Sequence, residues 1–202
     1  MSSVSSGGLR ERKKAQTRAA FIRAASDLFD RHGYDSVTVE DICAAVEVSP
    51  RTFFRYFSAK VDLVVAAVSD LLEELLIDLR ARPDSEPPWT SLREVLLATA
   101  DRIAARSEEF VSLAKVTREA PELVGGNARA FMEWEQQMSA EVARRLDPAA
   151  RERARLLCGI ALTGFRVALD SWVDSGGTGD PRAQVEDNLK LLRATGQRLQ
   201  KP

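Results

Sequence analysis

The sequence predicts an all-α protein of about nine helices, and three features carry that expectation. Apolar residues recur at three- and four-residue spacing through most of the chain, the period of a helix with one buried side. Helix-starting residues stand before these patterns, and glycine or proline stands after them. Nowhere does a two-residue apolar alternation run for a useful length.

A first helix is expected from about Arg10 to His32, with Phe21, Ile22, Ala25, Leu28 and Phe29 as its buried stripe and Gly33 as its stop. Residues 1 to 8, rich in Ser and Gly, are expected to be disordered. Thr38, with Asp41 at the third helical position, caps a second helix whose inner side carries Ile42, Ala45 and Val46. Only Glu47 and Val48 separate it from a third helix, capped by Ser49 with Pro50 in the first position. Phe53, Phe54, Tyr56 and Phe57 follow at once. Residues 9–60 thus form a compact three-helix, helix-turn-helix module with one small core.

Residues 61–202 make a larger helical domain. Behind Ser58 a fourth helix runs from about Ala59 to Arg82, apolar over half its girth from Leu63 to Leu79. Such a helix packs on more than one neighbour. Its start touches the first module and its body belongs to the larger domain, so it is the natural mechanical link. After Pro83, Pro87 and Pro88 come a fifth helix, Thr90 to Ala105, with Ser91 and Glu94 at capping-box spacing, and a sixth, Ser107 to Glu119. Pro121 starts a segment that Gly125–Gly126 can interrupt before a seventh helix, Asn127 to Leu146. Pro148 opens an eighth to Asp174, and Pro181 a ninth to about Leu199.

Composition removes several function classes. His32 is the only histidine, so histidine metal cages and Ser-His-Asp chemistry have no material. Cys43 and Cys158 lie within apolar helical patterns and read as buried small hydrophobes of a reducing cytoplasm. No apolar run approaches the roughly 20 residues that span a bilayer, and the basic N-terminus lacks the apolar core of a signal peptide. Neither an enzyme, a metal, a cofactor nor a membrane partner is expected. The net charge of −1 hides an asymmetry: Met1 to Lys60 holds ten Lys/Arg against seven Asp/Glu, and the remainder is acidic. A local basic excess is what a phosphate-contacting end needs.

The third helix carries Arg51, Thr52, Arg55 and Tyr56 beside a Phe-rich inner side. Its width suits the major groove of B-DNA, about 12 Å across. A small helical hairpin with ordinary surface arginines has the same spacing.

The pieces Ala24–Ala25, Leu28–Phe29, Gly33–Tyr34, Thr38–Val39, Ile42, Val48–Ser49, Thr52, Phe54–Tyr56–Phe57 and Lys60 resemble the DNA-binding domain of the TetR (tetracycline-repressor-like) family of bacterial regulators. The resemblance covers roughly residues 10 to 65. It implies DNA contacts from Lys13, Lys14, Thr17 and Arg18; from Thr38; and from Arg51, Thr52, Phe54, Arg55 and Tyr56. Lys60 matches a frequent phosphate contact. Arg51 and Thr52 are the expected readers of base edges, and the others meet phosphate. There are two departures: Phe54 stands where the family often has Tyr, whose hydroxyl usually meets a phosphate that Phe54 cannot bond, leaving Tyr56 nearby to supply a hydroxyl, and Glu47 stands where the family commonly has Gly. A left-handed Glu47 costs on the order of 1 kcal/mol.

The resemblance also implies dimerisation through the last two helices, whose apolar surface exceeds what one packing partner needs. Leu157, Ala161, Gly164, Phe165, Ala168 and Trp172 line one side of helix eight, with Ile160 and Val167 at its edge. Leu189, Leu192 and Leu199 supply helix nine. Phe110, Leu113, Phe131, Trp134 and Met138 are candidate lining for an effector pocket, or else a filled core. Arg166 is either a ligand anchor or half of a surface pair with Asp170. The function expected is a homodimeric repressor, released from a palindromic DNA operator by a largely apolar small molecule. The alternative is a ligand-blind or architectural DNA-binding protein of the same fold.

Overall fold

The computed structural model describes residues 5–119, 121–146 and 151–198, and within them every regular element is a helix. In chain order these are α1 (Ser5–His32), α2 (Val39–Ala45), α3 (Pro50–Phe53), α4 (Val61–Ala81), α5 (Pro88–Ala104), α6 (Ser107–Glu119), α7 (Pro121–Arg144), α8 (Arg151–Asp174) and α9 (Pro181–Arg198). The all-α expectation holds. Pro148 and Leu199 lie outside the described residues.

Two cores organise the chain. The first gathers Phe21, Ile22, Ala25 and Phe29 of α1, Ile42 and Cys43 of α2, and Phe53 and Phe57 of α3 and the turn after it. Phe21 is its hub, meeting Phe53 edge-on at 5.3 Å and Phe57 edge-on at 5.9 Å between ring centroids. Each such pair adds about 0.5–1.5 kcal/mol beyond its area burial. Cys43 rather than Ala45 completes the inner side of α2, because that helix ends at Ala45 and leaves it exposed.

The second core takes Leu71, Leu72, Leu75, Leu76 and Leu79 of α4 and packs them against α5 and α7, in a cluster that buried residues of α8 and α9 complete. Yet Leu63, Val64 and Ala66, near the start of that same helix, belong to the first core. One helix therefore crosses from core to core. So does α6: Leu113 and Val116 fill the first core while Val111 fills the second. Two buried serines fasten it, Ser26 Oγ donating to the Glu109 carbonyl at 3.1 Å and Ser112 Oγ to the Ser26 carbonyl at 3.0 Å.

Several boundaries differ from expectation, each for a local reason. Ser5 to Gly8 continue α1 instead of being disordered, since adding a residue to an existing helix costs little once the nucleus stands. Ser58 does not cap α4 with its hydroxyl; Asp62 Oδ2 reaches back to accept the backbone N–H of Ser58 at 2.7 Å and of Ala59 at 3.1 Å. Pro88 starts α5, so Ser91 is buried in the first turn and donates to Glu86 at 2.6 Å rather than capping. Gly125 and Gly126 do not break α7, which runs continuously from Pro121 to Arg144. Finally, α8 has the length and hydropathy of a membrane span, 24 residues with a mean of 1.4 over its most apolar window. Half of that window is buried inside the protein, which accounts for its composition.

Gly33 ends α1 with φ 79°, its N–H bonded to the Phe29 carbonyl at 2.9 Å. Among the described residues Glu47 alone of the non-glycines has positive φ, 57°, in the turn between α2 and α3. Its side chain is exposed, so the strain is repaid by nothing it touches. Glu47→Gly should raise the free energy of unfolding by about 1 kcal/mol. Thermal melts of the two proteins check this.

Candidate nucleic-acid interface

The α2–turn–α3 unit is built by its caps. Thr38 Oγ1 accepts the Asp41 backbone N–H at 3.1 Å, and Asp41 Oδ2 accepts the Thr38 N–H at 2.9 Å. Thr38 Oγ1 also donates to that carboxylate, and these bonds hold the Asp41 carboxyl below the usual range. At α3 the Ser49 hydroxyl accepts the Thr52 N–H at 3.3 Å and lies 3.1 Å from Thr52 Oγ1. Phe53 anchors α3 from within, and Arg51, Phe54 and Arg55 face solvent around it.

The N-terminal end of α1 lies beside this unit. Lys13 and Lys14 are exposed, and Lys14, Thr17 and Arg55 all act on the Tyr56 phenol. Burial raises its pKa, but hydrogen bonds from Arg55 and Thr17 and the charges of Arg55 and Lys14 outweigh that and bring it down. The Arg55 guanidinium also sits 5.2 Å from the Tyr56 ring centroid. Lys13, Lys14, Arg51 and Arg55 meet no carboxylate among the described residues. Arginines of the second core's surface contrast with them: Arg93 bonds Glu186, Arg118 bonds Asp170 and Asp174, and Arg182 bonds Asp101. Uncompensated cations gathered around α3 and the start of α1 make a surface for a polyanion.

Two of the expected phosphate residues are engaged elsewhere. Arg18 pairs with Asp70 of α4 and donates to the Ala66 carbonyl at 3.3 Å. It stands three, four and seven residues before Phe21, Ile22 and Ala25, so it shares their inward side. Lys60 donates to the carbonyls of Tyr34 and Val37, the latter at 2.9 Å, with its ammonium 4.0 Å from the Tyr34 ring centroid. It fastens the start of α4 to the loop between α1 and α2. Sequence reasoning also missed Ser26, Ser112 and Asp70, polar residues whose partners lie on distant helices.

The six candidate effector residues are divided between the second core, the first core and the surface. Leu113 belongs to the first core, and Trp134 and Met138 are buried in the second. Phe110 and Phe131 are half-buried against that second core, Phe110 with its ring centroid 6.2 Å from that of Trp172. Arg166 is exposed and pairs with Asp170 at 2.9 Å, the surface pair that its spacing allows. An open groove of about 440 Å³ lies instead on the outer side of α8, floored by Leu156, Gly159, Ile160 and Thr163 and rimmed by Glu135 and Leu192.

Comparison with known proteins agrees with this geometry. The family model for bacterial regulatory proteins of the tetR family matches residues 21–67, and that for the MftR C-terminal domain matches residues 86–197. This chain belongs to the TetR family. It is 32% identical over 173 residues to the transcriptional regulator TcmR of Streptomyces glaucescens, covering 82% of this chain and 76% of TcmR. It is 25% identical over 166 residues to MftR of Mycobacterium tuberculosis, a putative mycofactocin biosynthesis regulator, covering 76% and 80% of the two chains. Among solved structures, Thermus thermophilus FadR in complex with lauroyl-CoA superposes with a TM-score of 0.59 at 24% identity, covering 87% and 92%. The TetR-family chain is a DNA-binding transcriptional regulator, and α2–α3 is its helix-turn-helix.

The paired and unpaired cations should separate by measurement. Lys14→Ala should reduce the slope of log affinity against log salt by about 0.9 for each chain bound, the value of one phosphate contact. Arg18→Ala and Asp70→Ala should leave that slope unchanged and lower the melting temperature alike. Salt titrations of operator binding, with melts alongside, read both.

Proposed function

We propose that two copies of this TetR-family chain bind a palindromic operator and repress transcription until a small molecule releases them. In each copy Arg51 and Thr52 read base edges, and Lys13, Lys14, Thr17, Arg55 and Tyr56 hold phosphates, while Thr38, whose two donors go to Asp41, sets the start of α2. One short reading helix buries too little surface for specific affinity, whereas two can span half-sites one helical turn apart.

The observation that carries the dimer is an exposed row on α8. Leu156, Ile160 and Val167 remain 61%, 43% and 43% exposed, and with Thr163 they recur at the four-three-four spacing of a coiled-coil seam. Leu191 of α9 adds a fourth exposed apolar side chain. Gly164 does not face this seam. A methyl there would fall 2.8 Å from Leu192, so the glycine brings α9 close to α8 of the same chain. Packed about a two-fold axis, the row would meet its own copy and complete a four-helix interface.

Release needs a ligand that favours one separation of the reading heads over another. Structural neighbours of the FadR type, solved with lauroyl-CoA or stearoyl-CoA, support an effector that carries an apolar chain. The filling of the second core by Trp134 and Met138 favours a competing reading, a ligand-blind regulator. Operator affinity with and without lauroyl-CoA, stearoyl-CoA and a metabolite panel separates the two. Equal values throughout leave a DNA binder without a switch.

Ile160→Arg places a like charge in the exposed row of each copy. The wild-type protein should sediment at twice the 22.3 kDa of one chain, and the variant at 22.3 kDa. The variant's operator affinity should fall on the order of a hundredfold as one half-site is lost. A wild-type protein that sediments as a monomer would contradict the reading.

A further inference from the structure

We propose that Phe54 is a specificity-determining residue that reads the C5-methyl group of a thymine in each operator half-site. The inference rests on the reading of α3 as the groove-entering helix and adds to it the base that is recognised.

Three aromatic side chains follow Ser49 closely, and the structure uses them differently. Phe53 and Phe57 are buried in the first core, whereas Phe54 is 56% exposed. Among the described residues its aromatic neighbour is Phe53, met edge-on at 5.4 Å between centroids and 87° between planes. The remainder of the ring faces outward from α3. The fold of the single chain therefore leaves most of this hydrocarbon surface uncovered, in the segment that has the fewest residues to spare.

Its surroundings name the partner. Arg51 stands on α3 three residues before it and Arg55 one residue after it, in the turn that follows the helix, so the ring lies between two arginines in the chain. Both arginines are exposed and neither meets a carboxylate among the described residues. A second protein surface seated here would have to bring anions of its own, while duplex DNA supplies them as phosphates on both sides of the groove. A phenyl ring has neither donor nor acceptor, so it can bond neither a phosphate oxygen nor the polar edges of A, G or C. The group in the major groove that it can satisfy is the thymine methyl, the one apolar feature displayed there. Cover on both sides then comes from burial alone, the ring losing water as the methyl does.

The test replaces each thymine of an operator, recovered from a random DNA pool, by deoxyuridine, which lacks that methyl and nothing else. Binding is measured by fluorescence anisotropy with the full-length wild type, Phe54→Ala and Phe54→Tyr. Replacement at one symmetry-related position should weaken wild-type binding about fourfold per half-site, the weight of one buried methyl group. Phe54→Ala should bind the thymine operator with at least that loss and be indifferent to uracil. Phe54→Tyr keeps the ring and should keep the sensitivity. Wild-type binding that ignores uracil at every position overturns the proposal, as does a Phe54→Ala protein that still discriminates. Either result leaves the DNA-binding assignment standing. Failure to recover any bound sequence overturns that assignment, and this inference with it.

Discussion

The arrangement depends on a helix that is shared between two hydrophobic cores. Leu63, Val64 and Ala66 of α4 are packed among the aromatic residues of the helix-turn-helix module, and Leu71 to Leu79 against α5 and α7. At 1.5 Å per residue such an element is stiff over about 30 Å. Interiors packed at crystalline density transmit displacement rather than absorb it. The front end of the helix is also pinned, by Lys60 on the carbonyls of Tyr34 and Val37 and by Arg18 on Asp70. The second crossing, α6 with its buried Ser112, ties α1 to the same body. The reading head is thus held from two sides.

Charge completes that division of labour. The chain as a whole is nearly neutral, but its cations are spent differently in its two parts. On the larger body, arginines such as Arg93, Arg118 and Arg182 are engaged with carboxylates of neighbouring helices. Around α3 and the start of α1 they are left open. A surface of this kind attracts phosphate strongly at one end without making the whole protein an indiscriminate polyanion binder.

Much of this was legible in the sequence because it is local. Thr38, Ser49 and Pro50 announce helix starts through bonds to their own neighbours, and Gly33 announces a stop through its φ. The strain at Glu47 was foreseeable from the length of the turn and from the resemblance alone. What escaped was decided by distant partners. The sequence register of Arg18 with Phe21 and Ile22 already pointed it inward, but only the position of Asp70 shows what receives it. Lys60 reads as a surface cation until the Tyr34 carbonyl is brought to it by folding. Leu113 and Met138 share the apolarity of pocket residues, and apolarity cannot tell which core a side chain fills. The proline-led start of α5 displaced Ser91 from a capping role that its spacing suggested.

Hydrogen exchange of the full chain carrying Leu75→Ala tests the shared-helix account most directly. Leu75 is wholly buried in the second core, and its truncation should cost about 2–5 kcal/mol there. If α4 couples the cores, amides of α1 and α2 lose protection together with those of α5 and α8, although no side chain of the first module has been altered. Protection of α1 and α2 that stays at its wild-type level while α5 and α8 open would contradict the account.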